Sequence, residues 1–138
     1  MKLHECKLIA DVTLISEGEV LFVKYKNIRD FDMQKGWFLP EDLLKENEHP
    51  EDAALRILNE QLGLTNTEVV LNHIESFTGK DKSWHLAFHY KTEIPFSDEL
   101  IVSDRISEHD FFSPADLPDN KFIAHNGWAA FTVKAVLG

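Results

Sequence analysis

Apolar and polar residues along this chain follow two different periods. The stretches KLIADVTLIS (7–16) and EVLFVKYK (19–26) are rich in β-branched and aromatic residues, and Glu17-Gly18 separates them. That pattern predicts a β-hairpin. Residues 27–47 are irregular apart from a short extended WFLP at 37–40. From Pro50 the period lengthens, and a helix is predicted over 50–62. Pro50 suits the first helical position, Glu51 and Asp52 lie where the helix dipole favours acids, and Gly63 fits the left-handed position that closes a helix. Leu55, Leu58 and Leu62 have the spacing of a buried stripe. Ile57, Glu60 and Gln61, at i, i+3 and i+4, fall on the other side with Arg56 beside them. An isoleucine is out of place at the centre of a water-facing trio. Either another element covers that face or it lines a pocket.

Two further strands are predicted over 68–77 and 84–94. The second alternates Trp84, Leu86, Phe88 and Tyr90 against His85, Ala87, His89 and Lys91. A loop over 95–106 leads to HDFFSPADLP, a short extended piece and a turn. Asn126 stands where it could cap a final helix, GWAAFTVKAVL. Two strands, a helix, more strands and a last helix argue for one mixed α/β domain over 1–138.

Charge narrows the partners. A formal net charge of −10 argues against nucleic-acid backbone binding, which wants a basic face. It also demands local cations, or a metal ion, for any phosphorylated ligand. Between Phe22 and Trp37, Lys24, Lys26, Arg29 and Lys35 outnumber Asp30 and Asp32, either as a solvated strand end and loop or as a phosphate-facing patch. Nothing approaches the ~20 apolar residues of a membrane span. Asp11 and Lys7 interrupt the first apolar run, unlike a signal peptide. The single cysteine, Cys6, leaves no internal disulfide and fits a reducing, cytoplasmic setting. Seven histidines invite a metal reading. His85 and His89, however, are four residues apart on a strand, about 13 Å, too far to chelate one ion by themselves. There is no G-x-S-x-G elbow and no glycine-rich phosphate loop.

The stretch GWFLPEDLLKENEHPEDAALRILNEQLGL (36–64) resembles the Nudix box, G-x5-E-x7-R-E-U-x-E-E-x-G-U with U a bulky aliphatic residue, and its W-x-L-P lead-in. Trp37, Leu39 and Pro40 match the lead-in, Glu48 the first glutamate, and Arg56 the arginine. Leu58, Glu60, Gly63 and Leu64 match further positions without a gap. Glu41 and Asp42 replace the opening glycines, Ile57 the glutamate after the arginine, and Gln61 the last glutamate. The hairpin, the HDFFSPADLP segment and the closing helix are also similar to the family. The resemblance implies a Nudix α/β/α sandwich with a mixed β-sheet. It also implies Mg²⁺- or Mn²⁺-dependent hydrolysis of a nucleoside-diphosphate derivative, in a family where homodimers are common. Carried over residue by residue, it assigns catalysis to Glu60, Glu48 and Arg56. Metal ligation falls to Glu60 and Glu48, with help from Glu99, Glu108 or Asp110. Trp37, Lys24 and Arg29 are the candidate substrate contacts. Hard cations want oxygen ligands, and Ile57 offers none, while the Gln61 amide replaces a charge. The resemblance therefore predicts weakened or lost activity, or a silent module that binds a nucleotide or a protein.

Overall fold

The computed structural model describes residues 6–79, 82–95 and 100–138. The predicted hairpin is present as β1 (Cys6–Ser16) and β2 (Glu19–Tyr25). It is tight only at its turn, where Ile15 pairs with Val20 and Ser16 with Glu19. Beyond that the strands splay, and the segment after Trp37 fills the gap. Phe38 bridges Val23, and β3 (Glu41–Leu43) runs antiparallel to β1 with Glu41 opposite Asp11. Next come helix α1 (Pro50–Leu62), strands β4 (Val70–Thr78), β5 (Trp84–Ile94) and β6 (Ile106–Phe112), and helix α2 (Ala124–Leu137).

The sheet order is β4-β5-β1-β2-β6, with β3 also on β1. Only the β1–β5 pair is parallel, so the sheet is mixed. Alternation assigns its two faces. Val12, Leu14, Leu21, Val23 and Tyr90 face α1, packing against Ala54, Leu58 and Leu62. Val20 and Phe22 face α2 and pack with Trp37, Leu39, Ala129, Ala130 and Val133. This is the mixed α/β domain that the sequence pattern predicts, with helices on both faces as the Nudix resemblance implies. Among the described residues no helix is long and apolar enough to cross a membrane.

Two helix details differ from expectation. The buried stripe of α1 consists of Ala53, Ala54, Ile57, Leu58, Gln61 and Leu62, whereas Leu55 is only half-buried. Ile57 and Gln61 are both 0 % exposed. The helix sinks so far between the sheet and the 41–44 segment that a second element covers the supposed outer face. Ile57 packs there on Ala10, Ala53 and Leu44. Asn126 is no cap. His125, Asn126 and Gly127 hold left-handed backbone (φ 53°, 53° and 99°), whereas a capping residue needs extended backbone. At the other end of α1, Gly63 has φ 68° and receives the closing turn as predicted. A Cβ there would meet Ile101 Cβ at 2.7 Å.

Candidate functional site

Arg56 organises the box. Its Nε donates to Glu48 Oε2 at 2.9 Å and its Nη2 to Glu48 Oε1 at 3.0 Å. Nη1 donates to Asp42 Oδ2 at 2.9 Å, Nη2 also donates to the Leu43 carbonyl at 3.0 Å, and Glu60 Oε2 lies 3.6 Å from Nη1. Such a two-pronged pair is the strong form of ion pairing. Hydrogen bonds from Arg56 hold the Glu48 carboxyl below the usual carboxylate range, against the opposing effect of its burial. Glu48 also accepts from the Lys45 N–H at 3.0 Å. The cluster therefore fastens the 42–48 segment to α1.

Gln61 has an equally fixed assignment. Its Nε2 donates to the Glu41 carbonyl at 2.8 Å, and its Oε1 accepts from the Tyr25 hydroxyl at 2.7 Å. The Tyr25 oxygen in turn accepts from the Glu41 N–H at 2.9 Å. An ionised glutamate at 61 has no hydrogen to give that carbonyl, whereas the amide both donates and accepts at this buried junction.

These residues do not fit a divalent-metal centre. Ile57 has no donor atom, Gln61 spends its amide on the Glu41 backbone, and Glu48 is clamped by Arg56. Glu60, with 47 % side-chain exposure, is the one box carboxylate free to turn outward. Glu60 and Glu48 come together only through Arg56. Glu108 is not with them: it lies on β6 opposite Lys24, 3.4 Å from its Nζ, on the α2 side of the sheet. Asp110 accepts from the neighbouring Phe111 N–H, and Glu99 lies outside the described residues. Among the described residues, no three His, Cys, Asp or Glu side chains are grouped to hold a metal ion. Of the candidate substrate contacts, Trp37 is buried in the α2 cluster with Lys24 Nζ 4.5 Å over its ring. Arg29 is elsewhere, on the wall of a cleft.

That cleft, of about 1200 Å³, opens between α2 and the sheet face turned away from α1. A buried polar row runs behind its wall and reaches the cleft at Glu75 and Trp128. Asp11 and His89 are cross-strand partners, and His89 Nδ1 bonds Asp11 at 2.8 Å while its Nε2 bonds Glu75 at 2.8 Å. The indole N–H of Trp128 donates to the same Glu75 oxygen at 3.0 Å. Burial alone would push His89 down, but the hydrogen bonds and charges of Asp11 and Glu75 outweigh it and raise its pKa. Asp11 is also raised, because its complete burial outweighs the help of His89. A second hub is Asp32, which takes Lys7 Nζ at 2.6 Å, His125 Nε2 at 3.2 Å and His85 Nε2 at 3.3 Å. The bonds from His125, then Lys7, hold Asp32 far below the usual carboxylate range despite burial. Sequence reasoning missed these groups, although an acid in the apolar run of β1 and two histidines on one face of β5 were the available signals.

A family model for the NUDIX domain matches residues 8–130. The chain belongs to the Nudix family. Its fold is similar to that of a MutT NUDIX hydrolase from Burkholderia pseudomallei (TM-score 0.78, 21 % identity, 96 % of this chain and 98 % of that one). The NUDIX domain of Shewanella oneidensis NrtR, solved in complex with ADP ribose, is also similar (TM-score 0.73, 17 % identity, 100 % and 91 %). So is a C. elegans Ap4A hydrolase in a binary complex (TM-score 0.69, 15 % identity, 95 % and 97 %). At these identities the likenesses establish the Nudix fold. No curated protein sequence matches the chain.

Proposed function

We propose that this Nudix-fold protein is a ligand-binding module whose box has become structural, and that it receives a nucleoside-diphosphate derivative in the cleft beneath α2. The observation that carries this reading is the buried Gln61 amide, bonded to the Glu41 carbonyl and the Tyr25 hydroxyl. It stands where the family's last box glutamate would be, and Ile57 is sealed in an apolar cluster where another would be. Pyrophosphate cleavage needs phosphate charge neutralised and water activated together. One outward-turning carboxylate, Glu60, is too little for that. Arg29 and Lys134 line the cleft and are exposed, and they supply the cations for a diphosphate.

Two measurements on the whole protein test the reading. ADP ribose is the first probe, because the similar Shewanella domain was solved with it. Nucleoside diphosphates, triphosphates and dinucleotides follow. At ~100 times its Kd a ligand adds about 2.7 kcal/mol of stability, so binding registers as a higher melting temperature. The same panel with Mg²⁺ or Mn²⁺ should show no turnover above a Glu60→Gln control. Turnover that this control abolishes would establish a working hydrolase with one retained metal ligand and overturn the reading.

A further inference from the structure

The cleft's buried and half-buried acids are neutralised from within, with one exception. Asp32 has Lys7 and two histidines, Asp42 has Arg56 and Arg105, and Glu75 has His89 and the Trp128 indole. Glu41 is different. It is 6 % exposed and lines the cleft. Its backbone N–H and carbonyl are held by Tyr25 and Gln61, yet no group of the described residues bonds its carboxyl. Opposite Asp11 in the β3–β1 register, it shares the face of the sheet that carries the polar row. A nearly buried carboxyl that opens on a cleft without a protein partner is costly to ionise. Burial, reinforced by the charges of Asp11, Asp32 and Asp42, pushes the Glu41 carboxyl well above the usual range. A neutral carboxyl presents an O–H donor beside a C=O acceptor. Flat rings stand in the same cleft: Phe77 and Trp128 meet edge to face at 5.2 Å, and Phe131 is exposed at the lip.

Resting on the reading that a nucleotide enters this cleft, we propose that Glu41 recognises its base. The recognised edge belongs to a flat nitrogen heterocycle in which an amino N–H lies beside a ring nitrogen. The amino group donates to the Glu41 carbonyl oxygen, and the Glu41 O–H donates to the ring nitrogen. A metal ion is a poorer occupant, because the neighbouring carboxylates already have their own cations. The box position that the family fills with glycine has here become a base-reading side chain.

The test uses two matched probe pairs on the full chain. One pair is ADP and the analogue without its 6-amino group, and the other is CDP and the analogue without its 4-amino group. Binding is measured calorimetrically to wild type, Glu41→Leu and Glu41→Gln, and melting temperatures are recorded without ligand. Wild type should prefer the amino member of at least one pair by about tenfold, the effect of one or two hydrogen bonds. Glu41→Leu should lose that preference and melt at a higher temperature than wild type, because a costly group has gone. Glu41→Gln, which keeps one donor and one acceptor, should retain most of the preference. Equal binding of both members by wild type, a preference that survives in Glu41→Leu, or a lower melting temperature in both variants would overturn the inference. Binding without discrimination overturns the base-reading alone. If none of the four probes binds wild type, the nucleotide reading of the cleft falls with it.

Discussion

Asp42 and Glu41 are neighbours in β3, and alternation sends them to opposite sides of the strand. Both border the cleft, but the Asp42 carboxylate turns to the box, where Arg56 and Arg105 hold it at 2.9 and 3.5 Å. The Glu41 carboxyl opens on the cleft and meets no partner among the described residues. The same contrast separates the two regions as wholes. On the α1 side, each polar group buried in the box has its own partner, and the one apolar substitution is sealed among apolar neighbours. On the α2 side, paired acids and histidines stand near one carboxyl, that of Glu41, with no partner among the described residues. Saturated polar groups stabilise and position, whereas an unsatisfied one marks a place that something else completes. On the function proposed here, the family's motif serves structure and the ligand is read across the sheet.

The sharpest way to break this contrast is Ile57→Glu. Restoring the family's glutamate would bury an unpaired carboxylate among Ala10, Ala53 and Leu44, at a cost of about 3–5 kcal/mol. Urea denaturation measures it, and a neutral outcome would mean that the face is open after all. Next in size is Arg56→Ala, which leaves Asp42 and Glu48 without their shared cation. About 2 kcal/mol should be lost, and lysine should recover little because it cannot form the two-pronged pair. Full stability in Arg56→Lys would contradict the clamp.

A smaller effect belongs to the cleft side, as a dependence on pH. The folded pKa of His89 lies above its unfolded value, so its contribution is fully present below about pH 6.5 and is lost as pH rises through the folded value. Asp11 and Glu41 are also raised, so each contributes with the same sign, from the carboxylate range upward. His73, stacked on His89 at 4.5 Å and pushed down by burial, opposes them weakly. Wild type should therefore lose stability as pH rises from 5 to 8, in urea midpoints taken at half-unit steps. His89→Gln should flatten the upper part of that curve and Glu41→Leu the lower part. Unchanged profiles would place the titrating groups elsewhere.

The fold was legible in the sequence because strand and helix periods are written in consecutive residues. The hairpin, α1 with its closing glycine, and the alternation of β5 all follow from local pattern. The ungapped box supplied the family. What could not be read was depth. The helical period placed Ile57 and Gln61 together on one side but could not say that the 41–44 segment folds over them. That cover depends on β1 and β2 splaying to admit β3, an event set by residues about thirty positions apart. The polar row behind the cleft was illegible for the same reason. Asp11, Glu75 and His89 come from three strands, and only the sheet register joins them.

A calorimetric titration of the wild-type protein with Mn²⁺ tests most directly whether the box has become structural. The arrangement of Arg56, Gln61 and Ile57 predicts no stoichiometric site, and no difference between wild type and Glu60→Gln. A one-to-one Mn²⁺ site that Glu60→Gln removes would contradict it.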